Sequence, residues 1–352
     1  MMGTGFVKVI PIGKQLTQYH TSGMWVTPEK ARELVESAIA VYAEDEKKTF
    51  KKPKSIQTDI NYLRRTQFEK QHKKIRIAWI QDMSKLGGAE LSNCMVVNTG
   101  EDCGFDIVGI TPGNFNLKLL EECNIAIINN CMEFSMNQFN LIREYLFEKR
   151  IPFIKYEHDH RELKRQQVSY QFFNLSKLNI FVSPFHKKNH IKAFGESVND
   201  HSICLPVAID TSKFTNKNYQ REKNTIFVPN YYKCRKNIDQ YIIQNQNKKF
   251  IIGGSAHEVF KTNNVEIIKL IPNEQMADQY NRVDTIYHCP TQIQAGERVL
   301  FEAVLCGCKV ITNDIVGHHS WRTEFDYTDA KILKPRLDRA VFDFWKAVDK
   351  CL

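Results

Sequence analysis

The feature that most restricts the fold is the alternation, from Ile75 onward, of short apolar runs with longer helical stretches. Ile75–Gln81, Phe105–Ile110, Ile125–Asn129, Phe153–Tyr156, Ile180–Ser183 and Ile203–Val207 are brief and β-rich. Between them, helical spacing fits Met136–Lys149 and Phe185–Phe194. Apolar strands separated by helices suit a parallel sheet covered on its faces, because each parallel neighbour needs a crossover connection. A second series starts at Thr225–Val228 and continues through Phe250–Ile252, Val265–Leu270, Thr285–His288 and Val310–Thr312, with helices fitting Asn273–Val283 and Glu297–Cys306. The expected fold is therefore α/β, with two Rossmann-like lobes facing a cleft that suits a ligand. The final stretch, Asp338–Leu352, has helical spacing, with Asp338 placed to cap it and the helix placed to pack back across the lobes.

Ahead of these series lies a small α+β extension. Phe6–Ile10 and Met24–Val26 read as strands, and Thr27-Pro28 reads as the cap and first position of a helix. The expected division is residues 1–46 for this unit, 47–73 for a connector, 74–207 for the first lobe and 208–352 for the second, which includes the C-terminal helix. Charge sharpens the division. The chain carries a net +9, yet residues 1–46 carry 4 basic and 6 acidic side chains while residues 47–74 carry 10 basic and 2 acidic ones. A stretch so basic, with Phe50, Tyr62 and Phe68 interspersed, suits contact with a polyanion and equally suits a solvated linker. The ten cysteines are irregularly spaced with no Cys-x-x-Cys, which points to reduced thiols in a cytoplasm and away from zinc. No apolar run approaches the ~18 residues of a transmembrane helix, and no secretory signal is expected.

Four constellations have chemical potential. Gly87-Gly88-Ala89-Glu90 follows the first strand of the first lobe, where glycines let backbone N–H groups approach an anion at a helix N-terminus or simply serve turn geometry. Tyr156-Glu157-His158-Asp159-His160 ends a strand, the edge where α/β proteins bind ligands. Two histidines and a carboxylate raise metal ligation there, but His158 and His160 on one face of an extended strand are common without a metal, and no metal ligand is assigned. Lys233-Cys234-Arg235-Lys236-Asn237 reads as a basic loop after a strand, suited to phosphate oxygens or to solvent. Gln294 to Asp314 reads as loop, helix, glycine stop and buried strand. Within it Glu302 interrupts an apolar helix. Arg298, four residues earlier, offers an ion pair, while a carboxylate near the cleft could instead accept hydrogen bonds from a ribose diol.

Taken in order, Gly87-Gly88-Ala89-Glu90, His158-Asp159, Phe181-Val182-Ser183-Pro184, Leu205 to Asp210 with Phe214, Lys236, and Glu302-Ala303 to Gly307 resemble the retaining, nucleotide-sugar-dependent glycosyltransferases of GT-B architecture, the glycogen-synthase and bacterial mannosyltransferase-like superfamily. The similarity runs from about Ile75 to about Trp345. It implies an N-terminal acceptor lobe and a C-terminal donor lobe, with transfer of a sugar from a nucleotide-diphosphate donor, UDP-sugars being the commonest, to an acceptor hydroxyl with retention. It also implies that Glu302 binds the ribose, Lys236 neutralises the diphosphate and His158 contacts the donor sugar. Val299 and Leu300 lie near the diphosphate in that scheme, and Gly87 and Gly88 near donor phosphates and acceptor. No metal or prosthetic group is implied.

Two positions depart from that pattern. Gln294 stands where a glutamate is usual, so an amide replaces a charge, with Glu297 nearby as a substitute. Tyr231 stands where an arginine is usual, leaving Lys233 or Arg235 to replace it. The N-terminal unit is similar to small modules of bacteriophage proteins, and phage glycosyltransferases often modify hydroxymethylated bases in DNA. That implies a DNA acceptor held by residues 47–74, in a host cytoplasm. The alternatives are a cell-surface glycan or lipid-linked acceptor, with the basic stretch on an anionic membrane, or a non-catalytic nucleotide-sugar-binding module.

Overall fold

Two parallel sheets organise the chain. The computed structural model describes residues 7–9, 24–26, 75–82, 87–160, 166–253, 262–269 and 271–352. Two compact units are distinguished, Met1–Phe50 and Lys51–Leu352. In the first, β1 (Val7–Val9) pairs antiparallel with β2 (Met24–Val26). The helix expected after Thr27 and the basic stretch 47–74 lie outside the described residues.

The larger unit begins with β3 (Arg76–Ile80), α1 (Gly88–Asp102), β4 (Asp106–Ile110), β5 (Ile125–Ile128), α2 (Met136–Glu148), β6 (Phe153–Glu157), α3 (Gln166–Leu175), β7 (Leu178–Phe181), α4 (Pro184–Phe194) and β8 (Ser202–Cys204). Its strands form one parallel sheet in the order β4-β3-β5-β6-β7-β8. Burial explains the composition. β5 and β6 are buried at every position, so both faces must be apolar, and α2 lays Phe139, Ile142 and Leu146 on the core. Ser135 caps α2 through the N–H of Gln138, whose side chain returns to the Ser135 N–H.

A second parallel sheet follows, built from β9 (Glu222–Val228), α5 (Tyr231–Gln244), β10 (Lys249–Gly253), β11 (Val265–Ile268), α6 (Asn273–Arg282), β12 (Val283–His288), α7 (Arg298–Leu305) and β13 (Lys309–Thr312). Its order is β11-β10-β9-β12-β13. In each lobe the strand order reverses beside the first strand, between β3 and β5 and between β9 and β12. Ligands of open α/β sheets lie beyond the carboxyl ends of the strands at such points. Gly307, at φ +87°, ends α7 in the left-handed region that glycine tolerates.

The last helix, α8 (Ala330–Asp349), starts earlier than Asp338. Asp329 is its N-cap, accepting the Lys331 N–H at 2.8 Å. Asp338 lies mid-helix, paired with Lys334 at 2.7 Å and accepting the Thr211 hydroxyl. Pro335 sits inside this helix near its start. α8 packs on α1 of the first lobe. There Trp345 is fully buried, stacks on Phe105 with ring centroids 4.7 Å apart, and donates its indole N–H to the Val96 carbonyl at 2.7 Å. Gly100 makes room for it, since a Cβ there would fall 2.1 Å from the Trp345 ring. All ten cysteines are free, five of them buried. Among the described residues no helix is long and apolar enough to cross a membrane.

Candidate functional site at the carboxyl ends of the two sheets

In the second lobe, the chain leaves β9 into α5 and leaves β12 into the loop that reaches α7. This is the reversal point of the sheet, and four polar side chains meet there. Lys233 Nζ lies 2.7 Å from Glu297 Oε1 and 3.5 Å from Gln294 Oε1, and His288 Nε2 is 3.9 Å from the same Glu297 oxygen. Burial works against the Lys233 charge, but the adjacent Glu297 carboxylate outweighs it and holds the ammonium pKa above its ordinary value. The residues expected in a basic loop are helical instead. Lys233, Cys234, Arg235 and Lys236 occupy the first turns of α5, with Cys234 buried, Lys233 half-buried, and Arg235 and Lys236 exposed. Helical rotation brings Lys233 to Gln294 and Glu297 and leaves Lys236 on the outer surface.

The loop bearing Gln294 and Glu297 is held by backbone. Gln294 N–H donates to the Ile315 carbonyl at 2.9 Å, and the Gly317 N–H donates to the Gln294 carbonyl at 2.8 Å. Approach is so close that a Cβ at Gly317 would lie 1.7 Å from the Ala295 oxygen. The first lobe also holds this loop, because the Ser183 hydroxyl donates to the Ala295 carbonyl at 2.6 Å. The Ser183 hydroxyl oxygen in turn accepts the His186 N–H at 3.1 Å as the N-cap of α4. His318 Nδ1 faces the backbone of Glu297, with its oxygen 2.9 Å away, and the ring lies flat on Phe301 at 4.2 Å.

α7 begins directly after Glu297, which places Val299 and Leu300 in its first turn, where the Leu300 N–H donates to the Glu297 carbonyl at 3.2 Å. Val299 is half-buried and Leu300 fully buried. Glu302 is 3% exposed, and Arg298 Nε donates to its Oε1 at 2.9 Å. Of the two readings of Glu302, the intrahelical ion pair is therefore present. Arg298 reaches further, its Nη1 lying 3.1 Å from both the Ser92 hydroxyl on α1 and the Ala208 carbonyl. Gly88 sits against it, since a Cβ at Gly88 would be 3.1 Å from Arg298 Cδ. Gly87 caps α1 with its N–H donating to Glu90 Oε2 at 2.8 Å. The glycine turn thus meets the α7 arginine across the lobes.

His158 follows β6 in the first lobe. Its N–H donates to Asn130 Oδ1 at 3.1 Å and its ring meets Tyr156 edge-on at 4.3 Å. Burial, then the neighbouring Lys155, His318 and Arg298, push its pKa down to about 3, so the imidazole is neutral. His318 and Arg298 belong to the second lobe, so these groups face one another. Burial also pushes His318 down to about 4, and His288 lies below its ordinary value for the same reason. The Nε2 atoms of His158, His288 and His318 are buried without a hydrogen-bond partner. Unpaired buried polar atoms are uncommon in native folds, and the Nε2 of His158 leaves one just beyond the carboxyl end of β6.

Several supporting residues are not apparent in the sequence. Lys155 and Glu157, fully buried on β6, pair at 2.6 Å, and Lys155 also donates to the Asn129 carbonyl at 2.9 Å. Glu157 Oε1 accepts the N–H groups of His158 and Asp159, which shapes the turn that presents His158. Asp82 accepts the N–H groups of Met132 and Glu133 at 2.8 and 2.9 Å, shaping the loop after β5. A charged pair on an apolar strand was the available signal, since neither member is tolerated inside without the other.

Two parallel lobes whose switch points face each other define the GT-B fold. No protein-family model matches the chain, and no curated protein matches it. Among solved structures, it is similar to Anabaena HepE in complex with UDP and glucose, at 14% identity and TM-score 0.53 over 78% of this chain and 91% of that one. It is also similar to sucrose-phosphate synthase from Thermosynechococcus elongatus, at 11% identity and TM-score 0.54 over 77% and 90%. An alpha-glucosyltransferase in complex with UDP and a 13-mer DNA matches at 14% identity and TM-score 0.50 over 78% and 92%.

Proposed function

We propose that the chain is a glycosyltransferase that moves a sugar from a UDP-sugar to an acceptor hydroxyl with retention at the anomeric carbon. The observation that carries this reading is the convergence of Lys233, Gln294, Glu297 and His288 at the switch point of the second sheet, with His158 and the glycine turn opposite. The fold is shared with HepE, which binds UDP and glucose.

In this reading the donor's ribose diol bonds to Glu302, for which Arg298 must yield or share the carboxylate. The first-turn N–H groups at Val299 and Leu300 face the diphosphate, and Lys233, with Arg235 and Lys236 further out, supplies positive charge as the leaving diphosphate forms. Gln294 and Glu297 bond to sugar hydroxyls, as does neutral His158 through its unpaired Nε2. Gly87 and Gly88 let the backbone approach the donor. The attacking hydroxyl enters on the face the diphosphate leaves, and a leaving phosphate oxygen takes its proton, so no side chain is assigned as general base. Protein cations meet the diphosphate charge in this scheme, without a metal at that position.

For the acceptor we propose hydroxymethylated bases in DNA, with residues 47–74 on the phosphates. The ten basic side chains there favour a polyanion, and the DNA-bound alpha-glucosyltransferase shares the fold. A host cytoplasm follows from that acceptor. A screen of UDP-sugars against DNA with and without hydroxymethylated bases, read by product mass, tests both steps. A mass increase of one hexose on the modified DNA is expected. UDP release without DNA modification would keep the transferase and remove this acceptor, turning the search to surface glycans or lipid-linked sugars. Donor binding with neither release nor transfer would leave a non-catalytic binding module.

A further inference from the structure

His160, His186 and His190 bring one ring nitrogen each to within 4.8 Å of one another. His160 follows β6, whereas His186 and His190 lie one turn apart on α4 and are fully buried. The site is separate from the sugar-nucleotide residues, since His158 turns to Tyr156 while His160 turns to the α4 pair, its ring centroid 4.7 Å from that of His186.

Hydrogen bonding fixes the protonation of the α4 pair. His186 Nε2 lies 3.0 Å from the Asp159 carbonyl, and His190 Nδ1 lies 3.0 Å from the His186 carbonyl. A carbonyl only accepts, so each of these nitrogens carries a proton and donates it. The opposite nitrogens, Nδ1 of His186 and Nε2 of His190, are then bare lone pairs. Both are buried without a partner, and so are both nitrogens of His160. Lone pairs left dry and unpaired inside a fold are costly. An imidazole that donates one N–H to a backbone carbonyl keeps its other nitrogen for a metal with its outer hydrogen bond in place, and His186 and His190 are both held that way.

We propose that His160, His186 and His190 bind one divalent transition-metal cation, zinc being the best match to three neutral imidazoles, with a water or other exchangeable group as fourth ligand. Zinc–nitrogen bonds of about 2.0–2.1 Å in a tetrahedron need nitrogens roughly 3.3 Å apart. Half-buried His160 has room to close that gap. The shell suits a cation's ligands. Phe173 and Phe181 each lie 4.9 Å from the His190 ring, the Lys155 charge is neutralised by Glu157, and the Asp159 carboxylate adds negative charge beside His160. All three imidazoles are held in the neutral, ligating form by burial. The ion would tie the turn after β6 to α4, whose cap Ser183 holds the donor loop. Its role is therefore to position, and the inference stands whether or not the chain transfers sugar.

The full chain, stripped of metal with a chelator and titrated with Co2+ and then Zn2+, tests the site. One Co2+ per chain is expected, with the visible ligand-field bands of a tetrahedral site that Zn2+ abolishes, and Zn2+ should raise Tm. His160→Ala should weaken binding more than tenfold and remove the Tm rise, whereas His319→Ala in the other lobe should change neither. Absence of the bands and of the Tm rise in the wild-type chain overturns the proposal, and so does undiminished binding by His160→Ala. Should His160→Ala fail to fold, His160→Gln reads the same two quantities.

Discussion

Arg298 Nε donates to Glu302 Oε1 at 2.9 Å, with no more than a tenth of either side chain exposed. Burial of this kind makes a broken pair costly, because the surviving charge has neither water nor counter-ion. Arg298→Ala should lower unfolding stability by about 3–5 kcal/mol, measured by urea denaturation. Glu302→Gln should cost less, as an amide still accepts from the guanidinium. Both should weaken UDP-sugar binding by calorimetry, and unchanged donor affinity in Glu302→Gln would remove this carboxylate from the site.

Lys233 and Lys236 differ in what surrounds them. Lys233 is half-buried against Glu297 at 2.7 Å, whereas Lys236 is exposed. Lys233→Met should reduce UDP-sugar binding at least tenfold, and Lys236→Ala should reduce it only a few-fold. The reverse order would place the diphosphate on the outer face of α5.

The buried histidines make stability depend on pH. Burial lowers the folded-state pKa of His158 and His190 to about 3 and of His160 and His318 to about 4, against an ordinary 6.5. As pH falls below 6.5, the unfolded chain takes up protons that the folded chain refuses. Stability is then full above that pH and declines toward pH 4 by about 1 kcal/mol per pH unit for each group. Urea midpoints measured from pH 8 to pH 4.5, with chelator present to remove competition from metal, should fall steadily. His190→Gln should flatten the curve, and a flat wild-type curve would contradict the burial of these rings.

Trp345 should be among the most costly side chains to remove. It fills the space left by Gly100 and packs on Phe105 and Trp79. Trp345→Ala should cost about 3–5 kcal/mol. Gly100→Ala should also destabilise, by pushing the indole from its seat. Thermal melts report both, and an unchanged Tm in either would mean that α8 is not anchored there.

Legibility in sequence followed periodicity. Strands buried on both faces, such as Ile125–Ile128, carry a continuous apolar run that one sequence suffices to show. Glu302 was legible for the opposite reason, as a charge where the helix required none. Lys233 through Lys236 were misread because four polar or small residues at a helix start look like a loop until tertiary contacts bury Tyr231, Cys234 and Ile238. Asp338 is no cap because burial of Leu333 and Leu337 carries the helix back to its cap at Asp329. His160 could not be grouped with His186 and His190 from spacing, since the grouping depends on the turn after β6 meeting α4, and its nearer partner is 26 positions away.

Trp345 and Val96 are joined by a hydrogen bond across 249 positions of the chain. Until α8 is made, Trp79 and Phe105 lack the rings of Phe344 and Trp345 that pack on them, and a sheet assembled early would leave that part of both exposed. Completion of that lobe therefore waits until the second lobe and α8 have been made, in contrast to chains whose domains close in the order they emerge. A growing chain of this kind carries that uncovered face while the whole second lobe is made, and chaperone contact should fall where α8 later packs.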